Sequence, residues 1–333
     1  MSFDVYGLGN ALVDIQYRVD PVFFETMGID KGVMTLIEED RQLQLIASLG
    51  KQELARSSGG SAANTMISVV NCGGTGYYAC KVAHDPEGDF YLADLAASGV
   101  KSSGDNKGEG TTGKCLVMIT DDADRTMNTF LGITSSFGPD EIEPDVIARS
   151  KYIYIEGYLV ASDSGYESAK AAQKIARDNG VKVSLTLSDP FITNIFMDRM
   201  QALVDGGVDL LFCNEEEARM FTDKATVEDA CAALENRVGG FALTCGADGA
   251  RVKDGADLIH APGFKVNAVD TNGAGDSFAG AYLAAVTNGY TAEQAAKLAT
   301  YVSSRVVSKY GPRFDDKLSK HDIEGILAIG LNG

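Results

Sequence analysis

Val269-Asp270-Thr271-Asn272-Gly273-Ala274-Gly275-Asp276-Ser277-Phe278 is the stretch on which the reading of this chain turns. Glycines at 273 and 275 let the backbone turn tightly with its N–H groups uncovered, and the helix-forming run Phe278 to Val286 follows at once. Those amides therefore fall at a helix N-terminus, a ready anion site. Asp276 stands in the first turn, where the helix dipole stabilises a carboxylate and is expected to keep it ionised. A carboxylate beside an anion cradle is what a kinase needs as base for an acceptor hydroxyl. An isolated Gly-x-Gly-Asp is equally an acidic cap on a core helix, so the rest of the chain has to decide.

The 333 residues are 45% hydrophobic, enough for a large core and for one large domain or two. A formal net charge of −18 argues against a nucleic-acid or anionic-membrane partner, because either is repelled at long range. A phosphate site must then be built locally from amides and a few cations. No run approaches the roughly 18–20 apolar residues of a membrane span, and Met1-Ser2-Phe3-Asp4 lacks the basic start of a signal peptide, so a cytoplasmic location is the default expectation. The cysteines at 72, 80, 115, 213, 231 and 245 form no Cys-x-x-Cys pair and, with His84, His260 and His321, no zinc spacing. They read as reduced, mostly buried thiols.

Phe3 to Gly9 reads as a strand ending in glycines. A dinucleotide fingerprint fails here, since position 12 is Leu and Leu12 to Val19 alternates like another strand instead of opening a helix. Asn10 and Asp14 are either turn residues or polar groups placed to grip hydroxyls. A short strand is expected over Gly32–Ile37 and an amphipathic helix over Glu38–Leu49. Ser57 to Thr65, rich in small residues, is read as a turn feeding a helix to Val70, either a tight cap or a place where a ligand meets backbone. Tyr77–Val82 reads as strand and Gly88–Ala97 as helix, the alternation of an α/β sheet. Gly108 to Lys114 spells most of a Walker A loop, but Cys115 stands where Ser or Thr holds magnesium, and a strand follows where a P-loop needs a helix.

That strand, the acidic turn Asp121-Asp122-Ala123-Asp124 and Arg125 to Leu131 predict a hairpin. With the short strands near 12–19 and 32–37 it would form a small lid sheet, discontinuous in sequence. Arg125 is either a solvated charge or a cation facing a phosphate. Beyond it, strands are expected at Tyr152–Gly157, Val181–Leu187 and Val208–Phe212, and helices at Ser164–Asn179 and Ile195–Val204. Asn214 with Glu217 three residues on shares one face of a helix turn, suited to a hydrated magnesium ion or to a plain acidic helix start. Phe241 to Ala250 is a strand, a Gly turn and the start of a second strand. Helices close the chain at Ala292–Val307 and Leu318–Ile329.

Gly-x-Gly-Asn-x-x-x-Asp, Gly-Gly-Ser-Ala-Ala-Asn, Asn-Glu-Glu-Glu, Thr-x-Gly-x-x-Gly and Asp-Thr-Asn-Gly-Ala-Gly-Asp-Ser-Phe follow one another over residues 7 to 278. In this order they resemble the PfkB-type, ribokinase-like kinases. The resemblance implies a single ribokinase-like domain, a three-layer α/β/α sandwich with a small β-sheet lid at about 12–37 and 105–135. It also implies ATP as donor, Mg2+, a small-molecule hydroxyl as acceptor, and admits a monovalent cation. By motif, Asp276 looks like the general base, the amides of Gly273, Ala274 and Gly275 like the anion hole, and Arg125 like a further catalytic cation. Asn10, Asp14, Gly59, Gly60, Ser61 and Asn64 look like the hydroxyl-binding set. Asn214 and Glu217 look like the magnesium organiser, acting through water, and Thr244, Gly246 and Asn272 like nucleotide contacts.

Within the family, Ile155-Glu156-Gly157-Tyr158-Leu159, Leu187-Ser188-Asp189-Pro190-Phe191-Ile192 and Arg125-Thr126-Met127 with Leu131 resemble the adenosine-kinase branch. Met127, Leu131, Tyr158 and Phe191 would then hold the flat face of an adenine. Glu156 departs from the pattern, placing an acid where a base prefers small neighbours. Adenosine is thus the first expectation, with inosine, guanosine or a sugar as other acceptors and a catalytically silent nucleoside-binding protein as the reading from another class. A monomer is expected, since no long apolar edge strand is seen in the lid.

Overall fold

The computed structural model describes residues 2–50, 53–120, 125–255 and 257–329; the acidic turn expected at 121–124 lies outside them. In chain order the strands are β1 (Phe3–Leu8), β2 (Leu12–Arg18), β3 (Met34–Leu36), β4 (Glu53–Gly59), β5 (Gly76–Ala79), β6 (Val82–Ala83), β7 (Lys107–Gly108) and β8 (Thr112–Ile119). There follow β9 (Arg125–Gly132), β10 (Ser150–Ile155), β11 (Lys182–Thr186), β12 (Leu210–Asn214), β13 (Phe241–Thr244), β14 (Ala250–Lys253) and β15 (Leu258–Ala261). The main sheet has the order β15-β14-β13-β12-β11-β10-β1-β5. From β5 to β13 neighbouring strands run parallel, and β14 and β15 extend one edge antiparallel.

Along β10, Tyr152 and Tyr154 enter one core cluster while Ile153 and Ile155 enter the other, and all four are buried. Side chains alternate with period 2, so a strand that is apolar at consecutive positions requires cover on both faces. Helices Ser61–Asn71, Ala274–Thr287 and Ala292–Val307 cover the tyrosine face. Helices Asp163–Asp178, Met197–Asp205, Glu215–Thr222 and Val227–Leu234 cover the other. The result is the expected ribokinase-like α/β/α sandwich. All six cysteines are free and buried. Among the described residues no helix is long and apolar enough to cross a membrane.

A second sheet has the order β3-β9-β8-β2-β4. The expected hairpin is β8 with β9, paired Cys115 to Thr129 and Val117 to Met127. Because Thr112 to Lys114 already belong to β8, the Walker-like string forms no P-loop. The sheet also contains β4, which the boundaries 12–37 and 105–135 leave out. Residues 53–56 are exposed, so this edge strand carries no apolar alternation. Pairing with β2, Leu12 to Gly59 and Asp14 to Ser57, is what makes it a strand. Two further expectations divide in the structure. Tyr77–Val82 splits into β5 and β6, and Ile195–Val204 breaks at Phe196 between helices Pro190–Ile195 and Met197–Asp205.

Candidate active site

A cavity of about 440 Å³ opens at the carboxyl ends of the parallel strands. Asn10 follows β1, Glu156 follows β10, Ser188 follows β11, and Asn214 and Thr244 end β12 and β13; all five line it. This is where open α/β sheets place their ligands, because strand ends and helix starts converge there. The second sheet forms the opposite wall with Leu12, Met34, Val117, Met127 and Leu131. Its other face is packed into the core through Val13, Ile15 and Met118.

Asp276 lies where two helix N-termini meet. Its own helix, Ala274–Thr287, starts at Gly273, whose φ of 71° is left-handed and which presses on the chain so closely that a Cβ would sit 2.0 Å from the Pro312 carbonyl oxygen. The other helix starts at Gly60, with φ of 98° and no room for a Cβ against the Asn10 carbonyl. Only glycine fits either turn. Ser61 Oγ donates to Asp276 Oδ1 at 2.6 Å, and Asn64 Nδ2 to Oδ2 at 3.2 Å. Burial pushes the Asp276 carboxyl up to about 6, with the two hydrogen bonds opposing it. Loss of water thus outweighs the helix dipole, and at about 6 the group is still mostly ionised at neutral pH.

Glu156 is not a misfit in this site. Its carboxylate accepts from the Asn10 amide at 2.6 Å, from Asn10 Nδ2 at 3.1 Å and from the Ala62 amide at 3.1 Å, so it binds the end of β1 to the start of helix Ser61–Asn71. Burial nevertheless raises it to about 7. Tyr78 donates its hydroxyl to the Asn10 carbonyl at 2.9 Å, fixing the same residue from a third side. Asp14 faces the cavity from β2 and is backed by Gly59, where a Cβ would meet the carboxylate at 2.2 Å. Desolvation lifts Asp14 to about 7 against the pull of Arg313. Asn64 Oδ1 is buried and has no protein donor. Asn10, Asp14, Gly60, Ser61, Asn64 and Asp276 thus form one polar floor, with Gly59 behind it.

Asn214 and Glu217 form a reciprocal capping box. The Glu217 amide donates to Asn214 Oδ1 at 2.8 Å, while Asn214 donates to both Glu217 oxygens at 2.9 Å. The pair caps the helix, as the plain acidic-start reading expects, and it also lines the cavity. Glu217 is pushed to about 7 by burial. Among the described residues no three His, Cys, Asp or Glu side chains converge as a metal cage. Glu217, with its carboxylate on the cavity wall, is the donor type Mg2+ takes, since that ion keeps several waters and uses one or two carboxylates with phosphate oxygens.

A second cavity of about 390 Å³ adjoins the first, sharing Thr244, Thr271, Gly275 and Phe278 with it. Gly246 and Ala274 line this second space, together with Gly249, Gly263, Phe264 and Val266. Gly273, Gly275 and Asn272 line the first. The Ala274 amide donates to the Thr271 carbonyl at 3.3 Å, so one of the expected anion-hole amides is engaged within the loop.

Two expected residues stand elsewhere. Phe191 is 62% exposed and lines neither cavity. Asp189 caps helix Pro190–Ile195 by accepting from the Phe191 and Ile192 amides, which turns Ile192 inward and its neighbour, about 100° round the helix, outward. Arg125 is neither a solvated charge nor a lining residue: it is buried, with Nη2 2.7 Å from Asp270 Oδ2. Asp270 also accepts from the Asn272 amide at 3.1 Å and the Gly311 amide at 2.9 Å, so it shapes the loop before Gly273. Asp270 and Glu156 went unassigned in the sequence because their partners, 41 and 146 residues distant, are invisible to local spacing.

The sequence model described as "pfkB family carbohydrate kinase" matches residues 28–318. A solved structure described as a probable sugar kinase protein from Rhizobium etli CFN 42 is 34% identical, with a TM-score of 0.90 over 98% of this chain and 100% of that one. Adenosine kinase from Sinorhizobium meliloti is 33% identical, with a TM-score of 0.88 over 99% and 100%. Among curated proteins, adenosine kinase from Schizophyllum commune is 29% identical over 94% of this chain and 97% of its own.

Proposed function

Since the chain belongs to the pfkB carbohydrate kinase family, on its adenosine kinase side, we propose that it transfers the γ-phosphoryl group of ATP to a nucleoside hydroxyl, with the adenosine 5′-hydroxyl as the preferred acceptor. The observation that carries this reading is the pairing of a polar floor with an apolar roof in one cavity. Asn10, Asp14 and Asn64 offer acceptors and donors for hydroxyls, while Leu12, Met34, Val117, Met127 and Leu131 offer a broad apolar surface. Tyr158 adds an aromatic ring to the lining. A bare sugar has no flat apolar face to cover such a wall, whereas a purine does.

In this scheme Asp276 aligns the acceptor hydroxyl and takes its proton late, as suits a dissociative transfer in which little proton removal is needed early. The helix N-terminus at Gly273–Gly275 receives the phosphoryl oxygens through its amides and dipole. The second cavity, with its glycine backbone and Phe264 and Val266, takes the nucleotide base, and Thr244 stands between the two spaces. Mg2+ bound with ATP supplies charge neutralisation at the phosphates; Glu217 and Asn214 would hold its water shell. The second sheet acts as a lid whose closure excludes water from the transfer. Arg125, at the start of β9, carries a guanidinium from that sheet to the anion loop through Asp270.

A sugar kinase is the second reading, favoured by a polar floor that meets hydroxyls with or without a base and by the likeness to the probable sugar kinase protein. A coupled assay with ATP and adenosine, inosine, guanosine, ribose and fructose separates the two. Adenosine is expected to give the highest kcat/KM. Turnover of ribose with no nucleoside turned over assigns the sugar kinase instead, and binding without any turnover assigns a silent nucleoside-binding protein.

A further inference from the structure

Residues 311–314, which follow helix Ala292–Val307, contact the anion loop, the end of β4 and helix Ser61–Asn71 in turn. The Gly311 amide donates to Asp270, and the Pro312 carbonyl lies against Gly273. Phe314 is buried, and its carbonyl accepts from Asn71 Nδ2 at 2.6 Å on helix Ser61–Asn71. Between them, Arg313 sends its guanidinium in another direction. Nη1 lies 3.0 Å from Asp94 Oδ2 on helix Pro86–Ala97, and Nη2 donates to Ser58 Oγ at 2.7 Å on β4. Asp94 in turn accepts from the Ser58 amide at 2.8 Å and from its hydroxyl at 2.7 Å. Ser58 pairs across the sheet with Val13, one residue from Asp14, and is followed by the two glycines that back the polar floor. The Arg313 side chain is 13% exposed, and its Nε is buried without a hydrogen-bond partner.

We propose that Arg313 is a positioning residue for acceptor recognition: its forked guanidinium fixes the end of β4 behind Asp14 and places a positive charge where the acceptor hydroxyls are gripped. A rigid planar fork holds a hydroxyl and a carboxylate in one fixed geometry, which the compact ammonium on a lysine's flexible stem does not impose. The charge matters because burial, with Asp276 adding to it, disfavours the Asp14 anion, and Arg313 and Arg125 are the cations that oppose them. Cys115, its neighbour across β8, and Tyr91 from helix Pro86–Ala97 are neutral groups whose pKa burial has raised. Of the two cations, Arg313 exerts the larger pull on Asp14. Removing it should therefore both loosen the cradle and make Asp14 harder to ionise. The inference rests on the acceptor-kinase reading for its kinetic half only.

The test compares Arg313→Met and Arg313→Lys with wild type by two measurements. In the first, the Asp14 carboxyl is titrated by carbon NMR in the protein without substrate. Arg313→Met is expected to raise its midpoint by about one pH unit, the low end for loss of a neighbouring opposite charge, and Arg313→Lys to leave it near wild type. In the second, KM and kcat are measured against pH with ATP and the best acceptor of the panel. Acceptor KM is expected to rise about 10- to 100-fold in Arg313→Met, the scale of one charge-assisted hydrogen bond, with ATP KM and kcat within about threefold, the pattern of lost acceptor binding alone. Arg313→Lys keeps the charge without the fork, so it should combine a normal Asp14 midpoint with a raised acceptor KM. An unchanged Asp14 midpoint in Arg313→Met, or equal losses for ATP and acceptor, overturns the proposal. If the Met variant does not fold, a wild-type acceptor KM in Arg313→Lys overturns it. If wild type turns over no acceptor, the kinase reading fails while the titration still decides the role of Arg313.

Discussion

Asp276 carries opposing influences that can be separated by experiment. Two helix N-termini and donors from Ser61 and Asn64 favour its anion, while burial in the cavity floor disfavours it, and the balance is a carboxyl near 6. Its base form is depleted as pH falls through that value, so turnover should rise with pH through about 6 and level off above about 7. Asp276→Asn preserves the shape and the contact with Ser61 but removes the base. Turnover is expected to fall by roughly two to four powers of ten, with calorimetric substrate affinities nearly unchanged. Near-normal single-turnover chemistry in that variant would reduce Asp276 to a helix cap. The sequence located this residue because Gly-x-Gly-Asp is a local signal, spelled by adjacent positions. The upward push on its carboxyl is not legible there, because burial is a tertiary property; Ser61, 215 positions away, opposes that push through its hydrogen bond. Glu156 shows the same limit more sharply. Read locally it was an acid in an apolar place; in the fold it satisfies two backbone amides and the Asn10 side chain. Leaving such donors without a partner costs roughly 1–3 kcal/mol each, which is why an acid is tolerated there.

At the scale of elements, the hairpin β8–β9 has two unlike faces. Cys115, Val117 and Met127 look into the cavity, and Leu116 and Met118 pack into the core. A sheet with one apolar face over an open cavity gains burial when a flat ligand occupies it. Amide exchange in 113–120 and 125–131 should therefore slow when ATP and the acceptor are both bound, with the larger change on β9, which carries Met127, Thr129 and Leu131 to the wall. Unchanged exchange in both strands would remove the lid assignment. This hairpin is legible in the sequence because the apolar run Cys115 to Ile119 and the strand-like run Arg125 to Leu131 flank an acidic turn. Its partner β4 was not, since Glu53, Leu54, Ala55 and Arg56 are all exposed and their strand conformation comes from pairing with β2. Phe191 failed for a related reason. The resemblance to the adenosine-kinase branch assigns it a face of the adenine, but the direction of its side chain is set by which residue caps the helix, and Asp189 caps it so that Phe191 points away.

The whole molecule combines a formal charge of −18 with four carboxyls that burial has raised in one cavity: Asp14, Glu156 and Glu217 to about 7, and Asp276 to about 6. In the unfolded chain these groups return to the ordinary range near 4. Between about pH 4 and 7 the folded protein therefore holds more protons than the unfolded chain, and stability must fall as pH rises through that window. The ligand-free protein should accordingly melt several degrees higher near pH 5.5 than near pH 8, on the order expected for a few kcal/mol, the fall being under way at 5.5 and fading above about 7. General repulsion within an acidic protein pushes in the same direction, so the pH trend alone does not separate the two causes. Salt does. At about 1 M the Debye length shrinks to roughly 3 Å and long-range repulsion is screened, whereas groups buried in the cavity are screened much less. The fall between 6 and 7 should then survive in high salt and flatten in a double variant, Asp14→Asn with Glu156→Gln, that removes two of the titrating groups. A melting temperature that becomes independent of pH in 1 M salt would assign the whole effect to surface charge, and the cluster of raised carboxyls would have no part in the stability of the fold.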